Sequence, residues 1–224
     1  MRFRFIRAKK GGRCESFPPR PPRSSSSRRR ARAEGDERPE VVLALRLAVA
    51  PAFGSAVQDV PMSDAVGFQV PVQLDAMVRR RSVSAGLYLS RGWGRVESCD
   101  GSCGAAVWRA GLQATVDLAP IRGAEPWAGV SAGYEWASLT RSRAGTEVET
   151  RWRGWELFAA QGGVEWRVAR SAAVGPFVLV GVGRYTDMAV DTGLADASAS
   201  IPHRAIHGWI QAGVRARLAL GDGR

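Results

Sequence analysis

Three sets of residues have the types and spacings from which chemistry could be built: Cys99 and Cys103 in "CDGSC", His203 and His207, and Glu135 with Glu165. A zinc site on the cysteines would need two more ligands, and none lies near. The pair, set around a turn, reads as a disulfide closing a small loop in an oxidising compartment, two free thiols being the alternative. His203 and His207 stand four apart, a spacing that converges on a metal only on a helix, and their segment reads as loop and strand. Glu135 and Glu165 could do acid–base work as a carboxylate pair. The face they share also carries arginines, so a structural ion network is the expected reading. "GVGRY" and "GGVEW" follow no phosphate-loop spacing, and nothing marks a Ser–His pair. The expectation is a chain with no catalytic, metal or cofactor-binding residues.

The elements that hold these residues announce themselves by period. In "AIHGWIQAGVRARLAL" every even position from Ile206 to Leu220 is apolar or glycine, while the odd ones carry His207, Trp209, Gln211, Arg215 and Arg217. Side chains of an extended chain alternate between two faces, whereas a helix would mix these residues around its circumference. The segment is also much longer than the usual strand of about 5–6 residues. Seven further segments show the same alternation: "VVLALRLAVAPAFG", "GFQVPVQLDAMVRR", "RSVSAGLYLSRGWG", "AAVWRAGLQATVDLAP", "PWAGVSAGYEWAS", "LFAAQGGVEWRVAR" and "GPFVLVGVGRYTDM". The last is ambiguous, because Phe177 and Leu179 are apolar opposite Val178, Val180 and Val182. The connections alternate as well. Long gaps at 55–65, 140–153 and 187–204 and a middling one at 96–104 interleave with short ones at 79–81, 119–126 and 169–175. That rhythm is an up-and-down meander with loops at one end and turns at the other.

The net charge of +11 invites a nucleic-acid reading until it is divided along the chain. Residues 1–39 hold 13 basic and 4 acidic residues (+9), leaving 32 − 13 = 19 against 21 − 4 = 17 (+2) for the remainder. The basic character therefore belongs to an arginine-, serine- and proline-rich extension, expected to be unstructured. No nucleic-acid partner is expected. Residues 40–220 form the folded domain and 221–224 a short tail. No apolar run approaches the roughly 18 residues of a membrane-spanning helix. "VVLALRLAVAPAFGSA" has some character of a cleaved leader, but Arg46 interrupts it and its alternation is that of a first strand.

Eight such strands close either a soluble barrel with the apolar face inward, as in a lipocalin-like ligand carrier, or a membrane barrel with that face on lipid. The polar face decides. It is rich in Gly, Ser, Ala and Gln, which suits a crowded lumen. Its charges have both signs: Arg46, Arg109, Arg167, Arg215 and Arg217 against Asp75, Asp117, Glu135 and Glu165. They are expected to neutralise one another as a lumen ion network, since an unpaired interior charge costs several kcal/mol. Trp93, Trp108 and Trp136 share the apolar parity at the loop ends of their strands, and Trp166 lies at a turn end, where interfacial aromatics belong.

"APAFG", "GFQVPVQLDA", "PWAGVSAGYEW" and "GPFVLVGVGRY" make residues 41–220 resemble the small eight-stranded outer-membrane β-barrel proteins of Gram-negative bacteria, the OmpA/OmpX/OmpW-like group. The resemblance is one of pattern. It implies an all-β, antiparallel up-and-down transmembrane barrel in the bacterial outer membrane, in contact with lipid, inserted by the barrel-assembly machinery and monomeric. Its implied role is non-enzymatic: structural, adhesive or small-ligand, with a porin-like shape but a filled interior. Some small barrels are lipid-A-modifying enzymes, a less favoured alternative. The last strand departs from the group, ending "LALGDGR" where a terminal aromatic is usual.

Overall fold

The computed structural model describes residues 39–58, 60–96, 99, 101–143, 146–193, 195–202 and 205–221. The chain divides into two units, Met1–Glu37 and Arg38–Arg224, and every described residue belongs to the second. The expectations for residues 1–38, His203 and 222–224 fall outside the described residues.

Among the described residues ten strands and one short helix follow in order: β1 (Glu40–Val57), β2 (Val60–Pro61), α1 (Met62–Val66), β3 (Phe68–Arg80), β4 (Val83–Arg95), β5 (Ser102–Asp117), β6 (Ala124–Arg143), β7 (Thr146–Arg167), β8 (Ala172–Asp191), β9 (Asp196–Ser200) and β10 (His207–Leu220). Eight of them, β1, β3–β8 and β10, pair antiparallel in sequence order, and β10 pairs with both β8 and β1 to close the ring. Among the described residues β2 pairs with β1, and β9 with β8. No described helix is long and apolar enough to cross a membrane.

The register fixes the barrel's shape. Stepping across partners from Ala44 leads through Asp75, Tyr88, Gly111, Gly133, Glu156, Gly183 and His207 to Gly54, a climb of 54 − 44 = 10 residues on β1. Eight strands with that stagger tilt about 40° from the axis and enclose a space that side chains fill.

Alternation sets the two faces. Leu45, Leu74, Leu112 (66% exposed) and Val214 (53% exposed) point outward, whereas Arg46, Asp75, Gln113 and Arg215 on the same strands are buried inside. The soluble alternative required the reverse. Phe177 and Leu179, the ambiguous pair, pack inside with Trp127, Ala48 and Ala159.

The turns β3–β4, β5–β6 and β7–β8 lie at the end where β1 begins and β10 finishes, with Val41 opposite Leu220. Two of these turns use the left-handed backbone region, at Arg81 (φ 58°) and at Arg122–Gly123 (φ 51° and 83°). At the other end the sequence expectation needs correction. Residues 140–153, read as a polar loop, continue β6 and β7 as a paired hairpin from Arg143↔Thr146 downward. Residues 187–204 likewise extend β8 to Asp191 and supply β9. Polar residues on both faces erased the alternation there, but ladder pairing does not need an apolar face once the hairpin is anchored below. The 55–65 gap holds β2 and α1.

Candidate functional site

The lumen is built of three tiers of charge, positioned by inward-facing residues of every long strand. In the tier nearest the loops, Glu135 of β6 is the hub. It accepts hydrogen bonds from Arg109 Nε (2.6 Å), Tyr185 Oη (2.5 Å) and Trp209 Nε1 (3.1 Å), and His207 Nε2 lies at 3.0 Å. His207 stacks on Tyr185 with centroids 4.0 Å apart, and the Arg109 guanidinium sits 4.8 Å from the centre of the Trp209 ring. Glu156 joins from β7: its carboxylate accepts from Tyr88 Oη (3.0 Å) and Ser131 Oγ (3.2 Å), and lies 3.8 Å from Arg109 Nε.

Tyr88 reaches that position because the wall beside it is bare. A Cβ on Gly111 would come within 2.8 Å of the Tyr88 ring, and one on Gly133 would strike its hydroxyl and the Ala110 carbonyl. Both glycines therefore serve close packing, a common use of glycine inside strands.

The middle tier centres on Arg46. It donates to Asp75 (2.7 Å), Gln113 (2.9 Å) and Gln161, while Gln73 also donates to Asp75 (2.8 Å). Arg215 donates to Glu165 (2.9 Å), lies 3.9 Å from Asp75, and covers the Trp127 ring at 4.3 Å. At the turn end Arg217 joins Glu165 (2.7 Å), Asp117 (3.2 Å) and Glu125 (2.8 Å), and Arg79 bridges Asp117 to Glu40.

Of the nine charged residues expected inside, eight take part in these tiers, with Asp117 at their rim. Arg167 does not enter the lumen. Its side chain is 69% exposed and pairs with Glu125 at the rim, because it has the right parity but lies at the last residue of β7. Glu135 and Glu165 sit in different tiers, each held by arginine, so they form no carboxylate dyad. Sequence reasoning missed Glu156, Tyr88, Tyr185 and Trp127 as members of the network, and gave Trp209 a face but no partner. Glu156 was hidden by a bulge between Glu156 and Phe158 that reverses the parity of β7. The signal available for the others was their place on the odd or even face opposite the lipid residues.

Above the first tier the mouth is occupied by α1. Met62, Ala65 and Val66 are fully buried in a cluster with Val107, Leu139, Trp152, Tyr185 and Ile201. The helix is tied down by Ala52 N–H to Gly67 C=O (2.9 Å), Gly67 N–H to Arg95 C=O (3.1 Å) and Arg141 to the Asp64 carbonyl (3.1 Å).

Cys99 and Cys103 are joined as a disulfide at the β4–β5 loop, with Cα atoms 6.2 Å apart. Farther out, the Arg151 guanidinium donates to both oxygens of Glu149 (2.5 and 2.8 Å) and holds that carboxyl below its ordinary range. Among the described residues no cluster of three or more metal-binding side chains occurs.

The outer face carries a continuous apolar belt. Trp93, Trp108, Trp136 and Trp155 mark its loop-side edge and Trp166 its turn-side edge, all exposed. From Trp155 to Trp166 along β7, about ten tilted residues of roughly 3.3 Å rise correspond to about 25 Å of height, the apolar band of an outer-membrane barrel.

No family model matches the sequence, and no curated protein matches it. Solved structures do. The crystal structure of Neisserial surface protein A aligns with TM-score 0.50 and 14% identity, covering 80% of this chain and 98% of that one. The solid-state NMR structure of the outer-membrane protein AlkL in DMPC bilayers aligns with TM-score 0.50 and 13% identity, covering 94% and 98%. At these identities the likeness is one of fold. The fold is that of the small eight-stranded bacterial outer-membrane β-barrels, and the apolar belt is its lipid-facing surface.

Proposed function

We propose that the protein is a non-enzymatic, monomeric outer-membrane barrel that presents a strand-built surface outside the cell, in an adhesive or structural role. The observation that carries this reading is the lumen filled by buried, mutually bonded side chains. Three cross-linked tiers of side chains fill the lumen below the buried α1 residues, and every carboxylate in the tiers is bound by arginine, tyrosine or another donor rather than free for acid–base work. Meanwhile β6, β7, β8 and β9 extend beyond the tryptophan edge as a sheet, the part available to partners. Assembly by the barrel-assembly machinery and contact with outer-membrane lipid complete the proposal.

Planar-bilayer recording of the refolded protein tests it, with no single-channel steps expected from the intact barrel. In parallel, cells expressing a variant whose β6–β7 hairpin is shortened to a tight turn below Leu139 should insert the barrel and attach less to coated surfaces. A stable open conductance, or undiminished attachment of the shortened variant, would overturn the reading.

A further inference from the structure

One row of residues on the lipid-facing surface breaks the rule that charge avoids that face. Across four neighbouring strands the register runs Arg91↔Trp108↔Trp136↔Arg153. The row beneath it on the same wall runs Ala110↔Tyr134↔Trp155↔Arg184. All three arginines thus stand at the loop-side edge of the apolar belt, each register-opposite a tryptophan. Outward-facing arginine is costly at mid-membrane and nearly neutral at the interface, where its guanidinium meets lipid phosphate.

None of the three has an acidic partner within ion-pair distance among the described residues. The Arg91 guanidinium lies 5.1 Å and 4.9 Å from the Trp93 and Trp108 ring centres. Arg184 Nε is buried with no hydrogen-bond partner. Asp187, opposite Arg153 on β8, already accepts from Thr186 (2.6 Å) and Ser200 (3.4 Å). Arg91 and Arg153 are three strand spacings apart, about 14 Å at the backbone.

Directly below the row the surface is hollow. A depression of about 420 Å³ is lined by Ala110, Leu112, Ala132, Tyr134, Trp155 and Leu157. Small residues at its floor and the Tyr134–Trp155 edge contact (5.1 Å, 87°) at its border keep it open.

We infer that this wall is a binding site for an outer-leaflet lipid bearing two phosphate groups. Arg91 and Arg153 take the phosphates, with Arg184 beside the second. Trp108 and Trp136 lie under the sugar or glycerol portion, and one acyl chain fills the hollow. The spacing of about 14 Å suits a headgroup with two separated anions, one for each end of the row. Arginine suits the task through its planar fork, which donates bidentately to phosphate.

The inference rests on the membrane reading above, and the test separates the two. Folded protein in neutral detergent is scored first by heat-modifiable gel mobility and insertion into phosphatidylcholine vesicles; failure there condemns the membrane reading itself. Native mass spectrometry then follows titration with bis-phosphorylated lipid A, its monophosphorylated form and phosphatidylglycerol. Wild type should prefer the bis-phosphorylated lipid. Arg91→Gln and Arg153→Gln should each weaken it about fivefold, from the roughly 1 kcal/mol that one arginine contributes near an anionic headgroup. Arg91→Lys should fall between, and Arg122→Gln at the opposite rim should match wild type. Equal binding by Arg91→Gln, or phosphatidylglycerol binding as tightly as the bis-phosphorylated lipid, would overturn the inference.

Discussion

Replacing Glu135 by glutamine changes one oxygen to an amide in the middle of the loop-side tier. The Oε1 side can still accept from Tyr185 and serve His207, but the other terminus becomes a donor facing Arg109 Nε and Trp209 Nε1, now 2.6 and 3.1 Å from an acceptor that is lost. Arg109, fully buried, keeps only Glu156 at 3.8 Å as a counter-charge. Removing one partner of a buried pair costs about 3–5 kcal/mol. The residual partner puts Glu135→Gln near the lower end, about 3 kcal/mol. Arg109→Met strands Glu135 similarly, although Tyr185, His207 and Trp209 still bind it. The double variant removes both charges, leaves Glu156 its Tyr88 and Ser131 bonds, and should cost less than the sum of the singles by at least 1–2 kcal/mol. Urea unfolding in lipid vesicles, followed by tryptophan fluorescence, measures all three. Additive losses, or a Glu135→Gln loss below about 1 kcal/mol, would show that the tier is not a coupled ion network.

On the outer face, Val214→Arg should cost roughly 2–4 kcal/mol near mid-membrane, while Ile210→Trp, with lipid to expand into, should stay near neutral; the same unfolding assay reads both, and a loss of 1–3 kcal/mol at Ile210 would indicate a packed core instead. Gly133→Ala should push the Tyr88 hydroxyl off Glu156 and cost about 1–3 kcal/mol, which unfolding together with tyrosine absorbance would detect; a neutral result would deny the close packing of that wall. The Cys99–Cys103 bridge spans a sequence separation of only 4. Both thiols should resist alkylation until reductant is added, as intact mass will show, and reduction should lower stability by no more than about 2 kcal/mol.

The lipid face was legible because it is enforced residue by residue. In Val41–Phe53 of β1, Phe68–Val78 of β3 and Ala106–Val116 of β5 every second position is apolar, and one misplaced charge would face hydrocarbon. The lumen was legible only as a set of charges. Most of its pairings join residues far apart in sequence, such as Arg109 to Glu135 (26 positions) and Arg46 to Gln161 (115 positions), and are decided by the ten-residue stagger of the closed ring. No local pattern encodes that stagger. Arg167 illustrates a second limit: alternation assigns a face but not a depth, so a residue of correct parity at a strand end still faces water. Glu156 illustrates a third, since one bulge reversed the parity of the upper half of β7 and brought an unexpected carboxylate inside. The outer hairpins lost their signal altogether, because above the belt neither face meets lipid.

The central claim, that the even face of β10 meets hydrocarbon, is tested most directly at Val214. A nitroxide label on Val214→Cys in a Cys14→Ser background, with the native disulfide left oxidised, reports collisions with oxygen and with a water-soluble nickel chelate in reconstituted vesicles. Frequent oxygen and rare nickel collisions, reversed for a label at Gly221 beside the terminus, are the predicted result. Frequent nickel collisions at Val214, or poor access of both reagents as in a protein core, would contradict the transmembrane barrel.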